Sequence, residues 1–324
     1  MSVHDEFRAP LVTMVRSAGR ICRRVQSELC AADSVDKEDR SPVTVADLAG
    51  QALISHLLAE AYPDLPLVGE EDSTPLRADP ALLASVIERV RTEWPDADEE
   101  AVLTAIDRGS AEGGATGRYF TLDPIDGTKG FLRGDQYAVA LALVEDGVPA
   151  VGVLGCPNLP HPDGEKGLVL VAVLGGGTMT LPLDGEATEG PLCRVSDRTD
   201  SEAIRMCESV EAAHTAQGDS ATVAGELGIH AKPVRIDSQA KYAVLALGDA
   251  EIYLRIPTNP RRREKIWDHA AGSIVVTEAG GSVTDLDGKA LDFGQGRTLA
   301  VNRGIVASNG HVHDRVVHAL RVIA

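Results

Sequence analysis

Asp123 and Asp126 stand three residues apart in the run Leu122-Asp123-Pro124-Ile125-Asp126-Gly127-Thr128, which follows an apolar stretch and ends in a glycine and a hydroxyl. Two carboxylates separated by a Pro-Ile turn cannot both be turned into a core, and oxygen donors of this kind suit hard divalent cations such as Mg²⁺. A second acidic motif, Trp267-Asp268-His269-Ala270-Ala271-Gly272, lies far downstream. Asp47 and Glu70 are two further acids placed where elements begin or end. If these points converge, mutual repulsion raises their carboxyl pKa values unless cations compensate, so bound metal is the natural partner. Taken singly, Asp47 and Asp268 read more readily as helix caps or dipole partners. The string Asp-Pro-Ile-Asp-Gly-Thr leaves fewer such explanations, and the spacing of a calcium loop is absent. Thr128, at an expected helix start, adds backbone N–H groups suited to phosphate.

The elements that must position these residues are readable in outline. Apolar residues from Pro10 to Cys30 recur at three and four, the period of an amphipathic helix. A second helix is expected from about Thr44 to Ala61, closed by Tyr62-Pro63, with Asp47 in its first turn. A short strand from Pro66 to Gly69 delivers Glu70, and helices are expected over 81–91 and 99–107. The stretch from Gly109 to Gly117 reads as a loop, and Tyr119 to Leu122 as a strand leading into the acidic turn. Strands at Tyr137 to Glu145 and Ala150 to Gly155 join at Asp146-Gly147. Beyond that point short strands, such as Leu168 to Val173, alternate with helices near 240–247 and 270–279, the latter stopped by Gly280-Gly281. The organisation expected is an α+β unit over residues 1–146 carrying most of the acids, packed rigidly against an α/β unit over residues 147–324 carrying Asp268.

The segment Asp237-Ser238-Gln239-Ala240-Lys241-Tyr242 carries separate information. Lysine in the first turn of a helix is electrostatically misplaced unless an anion sits nearby. Ser238 reads either as a plain N-cap or, with Lys241, as a compact phosphate site. Arg261-Arg262-Arg263 reads as a solvated loop or as an attractor for a second phosphate, and Trp267 as packing that positions Asp268.

Composition narrows the class. The chain has 324 residues, of which 44% are apolar, and a formal net charge of -18. Such a charge repels nucleic acid and anionic membranes, so an anionic substrate must be attracted locally by metals or a few placed cations. Five scattered cysteines without a CxxC pair argue against a disulfide framework or zinc site. With no leader-like segment or apolar span, the expected location is the cytoplasm.

Asp123 to Phe131 and Trp267 to Gly281 resemble the two signatures of the lithium-sensitive, Mg²⁺-dependent phosphatases of the inositol monophosphatase superfamily. The likeness extends to Ser41-Pro42-Val43-Thr44-Val45-Ala46-Asp47 and Val68-Gly69-Glu70-Glu71. Within the superfamily it is similar to the 3'(2'),5'-bisphosphate nucleotidases, through 130–134, 155–160, 237–242, 265–269 and 291–299. The long segment from Ser73 to Arg118 suits that branch as well. The resemblance implies a layered α-β-α-β-α sandwich of the sugar-phosphatase type. It also implies two or three Mg²⁺ ions held by Glu70, Asp123, the carbonyl of Ile125, Asp126 and Asp268. Asp47 and Thr128 would orient and deprotonate the attacking water. Substrate would be bound by Gly127, Thr128, His214, Ser238, Lys241 and Arg255. The implied reaction is hydrolysis of the 3'-phosphate of 3'-phosphoadenosine 5'-phosphate, with its sulfated parent as a possible second substrate, by a monomer that binds no nucleic acid. Two alternatives stay open: an inositol phosphate or polyphosphate phosphatase, and a catalytically silent protein that binds a phosphorylated metabolite.

Overall fold

The computed structural model describes residues 2–31, 41–210, 216–259 and 261–323. In chain order the elements begin with α1 (Asp5–Ala31), α2 (Ser41–Ala61), β1 (Leu67–Gly69), α3 (Thr74–Ala78), α4 (Pro80–Val90) and α5 (Glu99–Asp107). Next come β2 (Arg118–Asp126), α6 (Thr128–Leu132), β3 (Ala138–Glu145), β4 (Val148–Pro160), β5 (Lys166–Val173), β6 (Gly177–Pro182) and β7 (Leu192–Cys193). The remainder comprises β8 (Met206–Glu208), α7 (Gln217–Glu226), β9 (Val234–Arg235), α8 (Ala240–Ala246), β10 (Ile252–Arg255), α9 (Ala270–Glu278), β11 (Ser282–Thr284), β12 (Ile305–Ser308) and α10 (His313–Ile323).

Among the described residues the strands form two sheets. One has seven strands in the order β1 to β7, antiparallel except for the parallel β1/β2 pair. The other has the order β11-β12-β10-β8-β9. Helices α1 and α2 cover one face of the large sheet. Helices α8 and α9 fill the space between the sheets, and α7 packs with α10 beyond the small one. The result is the α-β-α-β-α layering. The turn at Asp146-Gly147, where the sequence divides the chain, joins two hydrogen-bonded neighbours of the large sheet.

Alternation along the strands explains how one sheet serves two cores. On β3, Val139, Leu141 and Leu143 face α1 and α2, whereas Ala138, Ala140, Ala142 and Val144 face α8 and α9. An antiparallel sheet buried on both faces has no polar side to show, so its strands read as continuous apolar runs. The alanines on the inner face let α9 come close to the sheet. A third core lies between the small sheet and α7 with α10, built on Ile252, Leu254, Val306, Val316 and Leu320.

Several boundaries differ from expectation: α2 begins at Ser41 rather than Thr44, so Asp47 lies in its second turn and not its first, and β4 runs from Val148 to Pro160, beyond Ala150 to Gly155 at both ends. Helix α1 begins at Asp5 rather than Pro10, with Asp5 and Glu6 in its first turn, where acids favour the helix dipole. The acidic stretch expected as a turn belongs to β2. Asp123 pairs with Ala140 and Asp126 with Ala138, so three steps on β2 match two on β3. That extra residue is a bulge, and Pro124, which has no N–H to give the ladder, sits inside it.

The approach of α9 to the sheet generates a test. A Cβ on Gly152 of β4 would collide with Ile274 Cγ2 and lie 2.8 Å from the carbonyl oxygen of Ala271, which is backbone and cannot swing away. Gly152→Ala should therefore cost about 1–3 kcal/mol, measured as a lower urea midpoint at an unchanged slope.

Candidate active site

The bulge in β2 delivers both acids of the central motif to one cavity of about 280 Å³. Its lining combines the carboxylates of Glu70, Asp123, Asp126, Asp237 and Asp268 with the cations Lys129, Lys241, Arg255 and Arg262. Glu70 follows β1, and its N–H donates to Leu122 O at 3.2 Å, which fastens it beside β2. The next peptide is held by buried Gln51 of α2: Glu71 N donates to Gln51 Oε1 at 3.0 Å, and Gln51 Nε2 to Glu71 O at 2.6 Å. Asp123 Oδ1 accepts from Ile125 N at 3.1 Å across the bulge. Asp126 Oδ2 accepts from Gln239 N at 2.5 Å, the first of several ties to the second half of the chain. Gly127 has φ +90, and a Cβ there would lie 2.7 Å from Ser238 Cβ. Glycine is needed on both counts.

Asp268 sits just ahead of α9, with Trp267 and Glu264 anchoring the segment before it. The guanidinium of Arg297 lies 4.8 Å over the Trp267 ring and donates to Gly69 O at 2.6 Å, next to Glu70. Arg255, deep in the wall, pairs with Glu264 at 2.7 Å and approaches Asp268 at 3.6 Å. Burial opposes ionisation of Glu264, yet His269 at 3.6 Å and the charge of Arg255 hold it at about 2. Glu264, Asp268 and His269 bring ligand-type atoms within 4.8 Å of one another. Glu264 is already neutralised by Arg255, and His269 Nδ1 meets the Tyr242 hydroxyl at 2.8 Å.

The acids outside that pair are strained electrically. Burial, then Glu70 and Asp126, push Asp123 well above the usual carboxylate range. Glu70 opens to the cavity, but the protein around it and the charge of Asp268 push it up to about 8. Burial takes Asp268 to about 6 against the restraining charge of Arg255. An all-oxygen donor set that holds protons for want of positive charge fits a hard divalent cation. On the basic side, burial pushes the Lys241 ammonium down to about 8, against the pull of Asp126, and its Nζ donates to Ile236 O at 3.2 Å.

Residues 4–323 match the inositol monophosphatase family. The chain belongs to that family. Curated relatives include a 3'(2'),5'-bisphosphate nucleotidase of Schizosaccharomyces pombe, 43% identical over 98% of this chain and 96% of its own length. A protein of the same name from Oryza sativa is 43% identical over 95% of this chain and 91% of its own. Among solved structures, an inositol monophosphatase from Zymomonas mobilis aligns with a TM-score of 0.66 at 19% identity, covering 99% of this chain and 100% of the other. One from Anabaena aligns at 0.63 and 19% identity, covering 99% and 97%. At that identity the likeness is one of fold.

The positions that the family resemblance names are distributed as follows. Glu70, Asp123, Ile125, Asp126, Gly127, Thr128, Ser238, Lys241, Arg255 and Asp268 all line the cavity. Asp47 is not among the lining residues. It lies buried beside Glu70 and Glu71, and burial with those two charges raises its pKa well above the usual range. His214 lies outside the described residues. Ser209, Asp237, Gln239 and Tyr253 join the wall without having been singled out, and of the cluster Arg261-Arg262-Arg263, read as a solvated loop or a phosphate attractor, Arg262 lines it. Asp237 and Gln239 share the motif of Ser238 and Lys241. Ser209 and Tyr253 carry no local signal, because β8 and β10 bring them there by pairing side by side.

In this member of the inositol monophosphatase family the raised carboxyls make stability depend on pH in an uncommon direction. The folded state holds these protons up to about 8 at Glu70, whereas an unfolded glutamate releases its own near 4.5. Between those values the unfolded chain ionises first, so rising pH costs the folded state stability. The melting temperature of protein stripped of divalent ions with a chelator should fall from pH 5 to pH 8, and Glu70→Gln should flatten the slope. A melting temperature that rises over that range in chelator would contradict the assignment of these shifts.

Proposed function

We propose that this protein is a Mg²⁺-dependent phosphomonoesterase that removes the 3'-phosphate of 3'-phosphoadenosine 5'-phosphate, giving AMP and phosphate. The observation that carries the reading is the division of one cavity between clustered carboxylates and four basic side chains. A cation cluster suits the first group and an anionic, multiply charged substrate the second. The name borne by the relatives at 43% identity supports the nucleotide.

Glu70, Asp123, the Ile125 carbonyl, Asp126 and Asp268 would hold Mg²⁺, which when bound polarises phosphoryl oxygens and lowers the pKa of coordinated water. The remaining work falls to the chain itself. Thr128, exposed at the cavity, presents its hydroxyl to the attacking water. Asp47, kept out of bulk water beside Glu70 and Glu71, accepts the proton that attack releases. Positive charge brought next to Asp47 lowers its pKa and makes it a base at neutral pH. Lys241 and Arg255 receive the phosphates, and Ser238 adds a hydroxyl. Arg255 stays charged in a buried wall because the carboxylates of Glu264 and Asp268 offset the cost of its burial. Its fork is thereby fixed before substrate arrives, which removes an ordering cost from binding. Lys241, over the face of Tyr253 at 5.2 Å, gains positive character when a phosphate enters.

Phosphate release by purified protein with Mg²⁺ tests this, comparing 3'-phosphoadenosine 5'-phosphate with inositol 1-phosphate, each with and without Li⁺. Preference for the nucleotide with inhibition by Li⁺ is expected. Preference for the inositol phosphate would move the protein to the other substrate, and turnover of neither would make it a binding protein. Lys241→Ala should raise KM for the nucleotide about 10–100-fold, the worth of one charged hydrogen bond. Asp126→Asn should lower kcat by more than ~100-fold, beyond what outer partners of a metal site contribute.

A further inference from the structure

Gln239 touches both acidic motifs at once. Its N–H donates to Asp126 Oδ2 at 2.5 Å. Its side chain reaches in a different direction: Nε2 donates to Trp267 O at 2.9 Å, and Oε1 accepts from Gly272 N at 3.0 Å. Trp267 O belongs to the peptide directly before Asp268. Gly272 N is among the first N–H groups of α9, which have no partner within their own helix. His269, at the cap position of α9, offers no side-chain bond to them. The helix start behind Asp268 is therefore capped from a distant segment of the chain.

The residue is well placed to act as a gauge. It is 2% exposed, so neither of its side-chain bonds is traded with water. The turn that aims it is unusual: Ser238 has φ +66, and its Oγ accepts from Ala240 N at 3.1 Å. That turn rests against Gly127, next to Asp126. The backbone of Gln239 is thus fastened to one motif and its side chain to the other.

We propose that Gln239 is a positioning residue that sets the separation of Asp126 from Asp268 through its N–H on the first and its amide on the carbonyl just before the second and on the helix start that follows it. The inference rests on the reading that these two acids hold the same cation cluster. Mg²⁺ demands nearly ideal octahedral geometry at short range, so donors on separate segments must be spaced closely by something rigid. Partners that orient metal-binding groups without touching the ion contribute 10–100-fold to affinity. With its side-chain amide committed to Trp267 O and Gly272 N, Gln239 acts through other residues, which distinguishes its role from that of Ser238 and Lys241 in the same motif.

The experiment is a Mg²⁺ titration of metal-stripped full-length protein, read by thermal shift, for wild type, Gln239→Met and a control, Asn309→Leu. Methionine keeps the length of glutamine and removes both side-chain bonds. Asn309 is fully buried and donates to Arg198 O at 2.8 Å. It follows Ser308, which pairs with Ile252 at the end of β10 opposite Arg255. Both variants should melt below wild type without Mg²⁺. Only Gln239→Met should also bind Mg²⁺ about 10–100-fold more weakly, with lost turnover restored as Mg²⁺ is raised. A wild-type Mg²⁺ constant in Gln239→Met would overturn the positioning role while leaving the functional reading intact. Absence of any Mg²⁺-dependent shift in wild type would overturn that reading and this inference together. If Gln239→Met fails to fold, Gln239→Asn, one methylene too short to span both partners, should show the same weakening, and a wild-type constant there would equally overturn the proposal.

Discussion

Setting Glu70, Asp123, Asp126 and Asp268 around one cavity opposes their charges in surroundings that screen less well than water. Left alone, such acids either take up protons or push their elements apart, and the raised carboxyls of Glu70, Asp123 and Asp268 record the first response. The second is prevented by neutral or cationic groups that grip the backbone beside each acid. Gln51 holds the peptide after Glu70, Arg297 the carbonyl before it, and Gln239 the segments around Asp126 and Asp268. None of these bonds consumes a carboxylate oxygen except the one from Gln239 N to Asp126. Glu70 and Asp268 are thus held through the main chain beside them, whereas Asp123 and Asp126 each also spend one oxygen on a backbone N–H.

The layering follows from the same demand. Asp268 and Lys241 travel with α9 and α8, and these reach the acids of β2 only by lying close against the large sheet. Ala138, Ala140, Ala142 and Gly152 on that face make room, while Val139, Leu141 and Leu143 on the other face fill a deeper core with α1 and α2. Small residues inside and large ones outside are thus a single arrangement serving the site as much as the fold.

Much of this is legible in the sequence where the signal is local. The period of Leu11, Val15, Ala18 and Ile21, the apolar runs of β3 to β5, and the capping acids at Asp79 and Asp98 each report their own element. The clustering of Asp123 and Asp126 with a hydroxyl is local too, which is why the chemistry is visible before any fold is known. The bulge in β2 is not, because a Pro-Ile pair in a strand and in a turn look alike until the partner strand is in place. Ser209, Tyr253 and Arg262 enter the wall by strand pairing and loop placement, with no periodicity to announce them. Asp47 reads as an acid at a helix start, and nothing in the chain tells that it stands back from the cavity wall.

The pairing of β10 with β12 has a consequence for how the molecule is made. The strand that leads to Arg255 and on to Asp268 is flanked by β8, already synthesised, and by β12, which ends only at Ser308. On a nascent chain the β2–β3 hairpin with Asp123 and Asp126 is therefore complete long before its distant counterpart has a sheet to join. Contacts of such long sequence separation form late and slowly. The arrangement that sets Asp268 opposite Asp123 and Asp126 is therefore complete only once β12 has joined the second sheet.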